Sequence, residues 1–326
     1  MNFIVATSIF PPTEALRAFA RLPEWHLVVV GDMKTPPDWA LDGVTYLSPE
    51  AQEALGFETT RLLPWNHYSR KMIGYLFAMS RGARLIADTD DDNVPKEGWT
   101  RPDFESEFDV LEGGGFVNVY RYFSDSYVWP RGFPLHLLRA KEAATVSGRR
   151  LIDVGVWQFL ADGDADVDAI YRLVFDRPVT FASRPALALG RGVVCPFNSQ
   201  NTFFTKDVFP LLYLPSYVTF RFTDILRGLV AQPVLWESGL HLAFGPATVR
   251  QQRNPHDYLA DFSDEIPMYL QAEAAFDAAA TAVSSRVSIA ENLRAAYEGL
   301  EKRGIVEPRE RILLEAWLAD VTRVAV

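Results

Sequence analysis

Three short apolar runs, separated by helical patterns, constrain the fold of this chain more than any other feature. The runs cover residues 3–7, 26–31 and 84–87. Unbroken apolar strands of this kind are typical of a parallel sheet that helices cover on both faces. Before the third run, apolar residues recur at helical spacing from Tyr68 to Met79. We therefore predict an α/β fold with a mostly parallel sheet, in which ligands bind beyond the carboxyl ends of the strands.

The chain changes character after about residue 265 and becomes helical. An apolar stripe runs over 293–300, and Ser288 with Glu291 forms the pattern of a capping box. Pro308 suits the first turn of a further helix. We predict a helical C-terminal appendage that serves packing or dimerisation.

Four aspartates lie within five positions directly after the third apolar run: Asp88, Asp90, Asp91 and Asp92. Like charges at such short spacing repel, and a cation removes that cost. Mg²⁺ and Mn²⁺ prefer carboxylate oxygens and keep positions open for water and substrate phosphates. We therefore predict a Mn²⁺ or Mg²⁺ site at which the metal binds a diphosphate. A solvated acidic loop and a calcium site are the alternatives, although the spacing of an EF-hand is not met.

Three charged residues near this segment are candidates for contact with a nucleotide. Arg70 and Lys71 begin the helix before the acidic strand, where a phosphate is favoured, and the alternative is a pair of solvated cations. Asp32 follows the second apolar run and could accept a hydrogen bond from a base or ribose. Its alternative role is to form a turn.

Charge and cysteine content exclude several classes of partner and site. Asp and Glu number 42 against 32 Lys and Arg, which gives a net charge of -10 and argues against nucleic acid or an anionic membrane as the main partner. The single Cys195 excludes an intramolecular disulfide. No apolar run approaches the roughly 18 residues of a membrane span, and the N-terminus has no signal-peptide pattern. We expect a cytoplasmic protein, with peripheral membrane association as an option.

Several segments together resemble a known family. KMIGYLFAMSRGARLIADTDDDN looks like the nucleotide-sugar half of a GT-A glycosyltransferase, in which a helix with a basic start precedes a strand ending in a DXD motif. VWPRGFPL, DADVDAIYRL, CPFNSQNTFF and FTDILRGLVAQPVLWESG extend the likeness to the STELLO-like glycosyltransferases. They resemble more distantly the reversibly glycosylated polypeptides, which include UDP-arabinopyranose mutases. The likeness covers about residues 1–270.

The resemblance implies a domain organisation. Residues 1–264 would form a Rossmann-like GT-A domain, with a nucleotide-binding half at 1–100 and an acceptor and sugar half at 101–264. Residues 265–326 would be the helical C-terminal extension, through which the protein could form a homo-oligomer.

The resemblance also implies roles for the acidic residues. When the chain is aligned with the DDD motif of the mutases, Asp90–Asp92 matches that motif. Asp92 would then bind the metal, and Asp90 would bind the metal or the ribose. An alignment on strand register gives Asp88 and Asp90 instead, so Asp88 remains a rival ligand.

Two residues are catalytic candidates by resemblance. Asp224 matches an acidic position near the acceptor and would be the general base of an inverting reaction or would orient the sugar in a retaining one; its alternative is to cap a helix. Arg131 matches the arginine that becomes glycosylated in the mutases, although its flanking residues depart from that family. Its alternative is to pair with a buried carboxylate.

The remaining candidates would contact the donor. Asp166 and Asp168 match carboxylates of the sugar pocket, with turn formation as the alternative. The amides of Asn198, Gln200 and Asn201 would bind sugar hydroxyls, or would satisfy a loop backbone. Arg250, Arg253 and His256 lie where such enzymes place a loop over the diphosphate, or on a surface loop. The donor-binding set is Thr7, Asp32, Arg70, Lys71, Asp90, Asp91, Asp166, Asp168, Asn198, Gln200, Asn201 and Arg250.

These predictions favour a metal-dependent glycosyltransferase of the hexosyl or pentosyl class. It would move a sugar from a nucleotide-diphosphate sugar, with UDP favoured, to the hydroxyl of a glycan or small acceptor. The alternatives are a nucleotide-sugar mutase and a non-catalytic binding protein on the same scaffold. The sequence does not indicate which sugar or which acceptor is used.

Overall fold

The computed structural model describes residues 1–104, 106–141, 144–252 and 257–324. The strands are β1 (Asn2–Thr7), β2 (Trp25–Val30), β3 (Thr45–Leu47), β4 (Leu85–Thr89), β5 (Asn93–Pro95), β6 (Glu107–Glu112), β7 (Gly115–Phe116), β8 (Thr145–Leu151), β9 (Val154–Gly163), β10 (Leu187–Leu189), β11 (Val193–Val194), β12 (Asn201–Thr205) and β13 (His241–Gln251). The helices are α1 (Glu14–Phe19), α2 (Pro49–Ala54), α3 (Glu58–Leu62), α4 (Lys71–Ser80), α5 (Tyr120–Phe123), α6 (Ala169–Val174), α7 (Thr223–Glu237), α8 (Tyr258–Ala282), α9 (Ile289–Lys302) and α10 (Pro308–Val324). Short 3₁₀ segments lie at Tyr68–Arg70, Leu135–Leu137, Lys206–Leu212 and Phe220–Phe222.

One large sheet forms the centre of the fold. Its strand order is β3-β2-β1-β4-β12-β9-β13-β10-β6-β8, with β5 paired to β13. The first four strands are parallel, and they include the three apolar runs of the sequence. β12 then runs antiparallel to β4, which brings Asn201 opposite Thr89. The predicted α/β architecture, with a sheet flanked by helices and a helical C-terminal part, is confirmed.

Helix α4 packs closely on β1 and β2 because Gly74 leaves room for it. A Cβ at Gly74 would lie 2.6 Å from Val5 and 2.7 Å from Val30, closer than carbon atoms can approach. The helix predicted from the apolar spacing is confirmed, and Gly82 follows it with a φ of +76°. This packing fixes the start of α4 next to the end of β4, where the acidic segment begins.

The three C-terminal helices belong to the same apolar core as the sheet. α8 begins at Tyr258, and the capping box of Ser288 and Glu291 is present at the start of α9. Trp317 of α10 is fully buried, and its indole nitrogen donates to the Pro210 carbonyl at 3.0 Å. The division of the chain at residue 264 stays a prediction.

Helices in the described part of the chain lack the combination of length and apolarity that crossing a bilayer requires. The cellular compartment and the oligomeric state stay predictions.

Candidate functional site

A cavity of about 460 Å³ opens at the carboxyl ends of β1, β2 and β4. This volume lies within the roughly 300–1,000 Å³ that ligand pockets usually have. Eleven of the predicted site residues line it: Thr7, Asp32, Arg70, Asp90, Asp91, Asp92, Arg131, Asp166, Asn198, Gln200 and Asp224. The structure therefore brings together residues that lie up to 217 positions apart in the chain (Thr7 to Asp224).

Asp90, Asp91 and Asp92, which we call the strand-end carboxylates, follow β4 directly. Asp90 accepts hydrogen bonds from the Tyr68 hydroxyl at 3.0 Å and from the Lys71 ammonium at 3.1 Å. The Ser8 hydroxyl donates to Asp91, and the Gln251 amide donates to Asp92 at 3.1 Å.

The electrostatic setting of the strand-end carboxylates is unfavourable for negative charge. Burial raises the pKa of Asp91 to about 6, although the Ser8 hydrogen bond opposes that shift and the charge of Asp90 adds to it. Burial also raises the pKa of Asp90, with Lys71 opposing and with the charges of Asp88 and Asp224 contributing. Negative charge on Asp90 and Asp91 is therefore only partly offset by Lys71 and by the hydrogen bonds that these two carboxylates accept.

Asp88 lies behind the cavity in a buried ion cluster. Its two carboxylate oxygens lie 2.8 Å from the Lys71 ammonium and 2.8 Å from the Arg227 guanidinium, and all three side chains are almost fully buried. Burial raises the pKa of Asp88, but the charges of Lys71 and Arg227 bring it below its usual value.

This ion cluster bears on two predicted site residues. Asp88 does not line the cavity, and both of its oxygens already face cations, which favours Asp90 and Asp92 as the ligands of the predicted metal. Lys71 is also absent from the cavity wall, because its ammonium is held between Asp88 and Asp90. It positions Asp90 and does not contact a phosphate in this geometry.

Arg70 lines the cavity and keeps part of its hydrogen-bonding capacity. Its Nε donates to Gln52 at 2.8 Å, its Nη1 donates to the Leu63 carbonyl, and its guanidinium stacks 3.4 Å from the centre of the Trp65 ring. Within the described residues, Nη2 is buried and has no hydrogen-bond partner. Burial lowers the pKa of Arg70 to about 10, so the side chain is still a cation at neutral pH.

Asp32 shapes the opposite wall of the cavity. Its Oδ1 accepts from the amides of Met33 and Asn66, and its Oδ2 accepts from the amide of His67. Asn66 has a φ of 55°, a left-handed conformation that asparagine tolerates better than most residues. Asp32 therefore forms a turn, as its alternative reading held, and also fixes the loop that leads into Tyr68.

Arg131, Asp166, Asp224 and Asn198 form a second group of charged and polar side chains, which we call the arginine cluster. Two nitrogens of Arg131 donate to Asp166 at 2.8 and 3.0 Å, and two donate to Asp224 at 3.0 and 2.9 Å. The Asn198 amide donates to Asp166 at 2.7 Å. Arg131 therefore pairs with buried carboxylates, which was the alternative to its predicted catalytic role, and its partners are two other site candidates. The catalytic role stays a prediction.

The charges of the arginine cluster stabilise one another. Burial lowers the pKa of Arg131, but the charges of Asp166 and Asp224 raise it well above its usual value. Burial raises the pKa of Asp166, whereas the charge and hydrogen bonds of Arg131 bring it down to about 2. At neutral pH Arg131 is a cation and Asp166 an anion.

Three other donor-binding candidates lie away from the cavity. Asp168 caps α6 by accepting from the Tyr171 amide and also accepts from the Trp129 indole at 2.6 Å. Asn201 is a buried residue of β12 whose amide donates to Thr248 at 2.8 Å. Arg250 is exposed on β13. None of these three residues lines the cavity, and their contacts with the donor stay predictions. Arg253 and His256 lie outside the described residues.

Comparisons with known proteins agree with the resemblance. The profile of a family described as "STELLO glycosyltransferases" matches residues 221–326. Over 277 residues the chain is 32% identical to "Probable glycosyltransferase STELLO1" of Arabidopsis thaliana, which covers 77% of this chain and 35% of that protein. It is also 32% identical over 300 residues to "Probable glycosyltransferase STELLO2" of the same plant, covering 82% of this chain and 38% of that protein.

The chain belongs to a STELLO-like glycosyltransferase family.

This STELLO-like chain spans little more than a third of the length of the curated relatives it matches. Among solved structures, "Crystal Structure of a Mycobacterial Protein" superposes with a TM-score of 0.42 and 11% identity, covering 86% of this chain and 74% of that one. Similarity at that level carries no argument about function.

Several residues that line the cavity of the STELLO-like chain were not predicted. Ser8 follows Thr7 at the end of β1, so the same argument that selected Thr7 could have selected it. Tyr68 was predicted only as a helix residue. Gln251 and Phe220 reach the cavity through the pairing of β13 and the fold of the segment before α7, which no local pattern indicates.

The strand-end carboxylates supply oxygens of the type that Mg²⁺ and Mn²⁺ prefer as ligands. In the described part of the chain no three His, Cys, Asp or Glu side chains are close enough to hold a metal by themselves. Mg²⁺ and Mn²⁺ need only one or two carboxylates when substrate phosphates and water supply the other ligands. Asp90 and Asp92 both line the cavity and offer such oxygens.

Proposed function

We propose that the chain is a metal-dependent glycosyltransferase that moves a sugar from a nucleotide-diphosphate sugar, with UDP favoured, to an acceptor hydroxyl. The observation that carries this proposal is that the strand-end carboxylates and the arginine cluster line the same cavity. In the reaction, the bond between the sugar C1 and the diphosphate oxygen breaks, and a bond from C1 to the acceptor oxygen forms. The acceptor proton leaves to a base or to water, and the nucleoside diphosphate departs.

The balance of charge in the cavity supports metal dependence. Six aspartates line it: Asp32, Asp90, Asp91, Asp92, Asp166 and Asp224. Among the described lining residues the cations are Lys34, Arg70, Arg131 and Arg221, of which Arg131 pairs with Asp166 and Asp224 and Arg221 pairs with Glu265 at 2.8 Å. Burial and neighbouring negative charge raise the pKa of Asp90 and Asp91 even with Lys71 beside Asp90, so a diphosphate bound next to them would meet like charge that a further cation would offset. Asp90 and Asp92 would hold Mn²⁺ or Mg²⁺, which supplies charge neutralisation to the leaving diphosphate.

The geometry favours an orienting role for Asp224. Both of its oxygens accept from Arg131, and Oδ2 also accepts from the Ser199 amide at 3.3 Å. A carboxylate that accepts hydrogen bonds on both oxygens in this way is held in a fixed position. We propose that Asp224 and Asp166 position the sugar hydroxyls, with Arg131 holding the two carboxylates apart.

The mutase alternative receives no support from this site. That reaction needs an arginine nitrogen as a nucleophile, but the nitrogens of Arg131 donate to two carboxylates and to the Arg221 carbonyl. The same carboxylates raise the pKa of Arg131, so the guanidinium keeps its proton and its charge. A transferase reaction makes no such demand on Arg131.

Calorimetric titration of UDP tests the proposal. We expect UDP to bind in the presence of Mn²⁺ and to bind at least tenfold more weakly in EDTA, because the metal compensates the aspartates. Asp92→Asn should also weaken Mn²⁺-dependent binding at least tenfold, whereas Asp277→Asn, an exposed change on α8, should not alter it. Full affinity in EDTA, or in the Asp92→Asn variant, would reject metal-dependent donor binding. Donor binding without transfer or hydrolysis of any UDP-sugar would favour the non-catalytic alternative.

A further inference from the structure

A second concavity of about 1,120 Å³ opens beside the cavity and has more than twice its volume. One wall is the segment 216–222, which precedes α7, and the other is formed by α8 and the loop between α9 and α10. We call this surface the groove. Asn66, His67 and Phe220 line both the groove and the cavity, so the two spaces adjoin at these residues.

Phe220 lies at the junction of the groove and the cavity. Half of its surface is exposed (50%), so its ring is open to a molecule that enters from the groove. Its ring packs edge-on against His67 and Tyr68, with centroids 6.1 and 5.8 Å apart. Because the Tyr68 hydroxyl donates to Asp90, a molecule in the groove that passes Phe220 reaches the strand-end carboxylates.

The wall that carries Phe220 is held in place from the C-terminal helices. Glu310 of α10 is fully buried and accepts from the backbone amides of Ser216 and Tyr217, at 3.1 and 2.8 Å. The Tyr217 hydroxyl donates to the Leu62 carbonyl at 2.9 Å, and the Arg309 guanidinium lies 4.0 Å from the centre of the Tyr217 ring. The groove is thus preformed, which lowers the entropic cost of binding a ligand.

The chemistry of the groove suits a neutral, amphipathic ligand. Tyr217 and Phe220 supply aromatic surface, and the charged residues on its walls are Glu301, Glu307 and Arg309, of which the last two form an ion pair. Sugar rings present apolar faces to aromatic side chains and hydroxyls to polar side chains such as Gln271, which also lines the groove.

We propose that the groove binds a neutral oligosaccharide acceptor, whose terminal hydroxyl enters the cavity past Phe220. This inference rests on the proposed glycosyltransferase function and adds the class of the acceptor. The observations that carry it are the residues that the groove shares with the cavity, the exposed ring at their junction and the near balance of charge along the walls. A preformed groove of this volume accommodates several linked sugar rings rather than a single small alcohol.

Blocking substitutions inside the groove test the proposal. The probes are linear neutral hexasaccharides of glucose, mannose and xylose, and saturation-transfer NMR measures their binding in the presence of UDP and Mn²⁺. Gln271→Trp on α8 and Glu307→Trp on the opposite wall place an indole in the groove from two sides. Leu270→Trp is the matched control, because Leu270 is the neighbouring residue of α8, is 77% exposed and does not line the groove.

We expect at least one hexasaccharide to bind the wild-type protein and the Leu270→Trp variant equally, and both groove variants at least tenfold more weakly. UDP titration of the same samples shows whether each variant is folded and keeps its donor site. If UDP binds but no hexasaccharide does, the groove assignment is overturned and the proposed function stands. If UDP does not bind either, both proposals fail. Binding of hydroxyl-rich synthetic peptides in place of the sugars, or a dimer that Gln271→Trp dissociates, would assign the groove to another occupant.

Discussion

The two sides of the cavity use the same side chain, aspartate, in opposite electrostatic settings. In the arginine cluster, Arg131 lies between Asp166 and Asp224, and its charge brings the pKa of Asp166 down to about 2 against the effect of burial. Among the strand-end carboxylates, burial and neighbouring negative charge raise the pKa of Asp91 to about 6. Carboxylates that an arginine neutralises, as in the arginine cluster, hold the structure and orient neighbouring groups. Carboxylates whose charge is only partly offset, as at the strand end, favour a bound cation.

The largest expected effect comes from removing the cation of the arginine cluster. Arg131→Met would leave Asp166 and Asp224 buried without a counter-ion, and breaking a buried pair in this way costs about 3–5 kcal/mol. Denaturant unfolding measures the loss. The control is Arg294→Met, which removes an exposed pair with Glu315 and should cost less than about 1 kcal/mol. Equal stability of the two variants would show that Arg131 does not hold the cluster together.

Acid should weaken the ion pair between Asp166 and Arg131 in a defined pH range. Because the folded-state pKa of Asp166 is about 2, below its unfolded value, its contribution to stability is complete above pH 4 and is lost as the pH falls toward 2. That contribution amounts to about 2 kcal/mol. The free energy of unfolding of the wild type should therefore exceed that of Asp166→Asn at pH 7, and the difference should shrink by pH 2.5. A difference that stays constant with pH would contradict the pairing.

Replacing one of the strand-end carboxylates should raise the free energy of unfolding instead of lowering it. In metal-free protein, Asp91→Asn removes a buried negative charge from a group of three and leaves an amide oxygen that can accept from Ser8. We expect the free energy of unfolding in EDTA to rise by about 1 kcal/mol at pH 7. Mn²⁺ should stabilise the variant less than it stabilises the wild type. A lower free energy of unfolding of this variant in EDTA would contradict the difference between the strand-end carboxylates and the arginine cluster.

The smallest effect is expected outside both groups. Arg250 is exposed and does not line the cavity, so Arg250→Ala should change the free energy of unfolding by less than about 0.5 kcal/mol. Mn²⁺-dependent UDP binding should stay the same in the calorimeter. A clear loss of UDP affinity would restore Arg250 to the donor site and would show that the cavity extends beyond its described lining.

The sequence predicted the residue types of the site better than their roles. The apolar runs were sufficient to predict the sheet, because strands buried on both faces leave a continuous local pattern. The carboxyl ends of those strands then indicated Thr7, Asp32 and the acidic segment. Asp168 caps a helix and Asn201 is buried in a strand, and the sequence could not separate these roles from ligand binding because the same residue types serve both.

Asp88 and Asp90 show where local pattern stops being informative. They are two positions apart and chemically identical, yet one is buried behind the cavity and the other lines it. The difference arises from Arg227, which is 139 residues distant in the chain and donates to Asp88 at 2.8 Å. Only the packing of α7 against the sheet brings this cation to β4.

The sequence by itself predicted at which edge of the sheet the candidate site lies, because strand patterns and the run of aspartates are local features that do not depend on distant contacts. Tertiary structure alone decided which of those charges are neutralised. Arg131 and Asp224 are 93 residues apart and meet only in the folded chain. Charge interactions depend on separation in space, at a few ångströms, and not on separation along the chain.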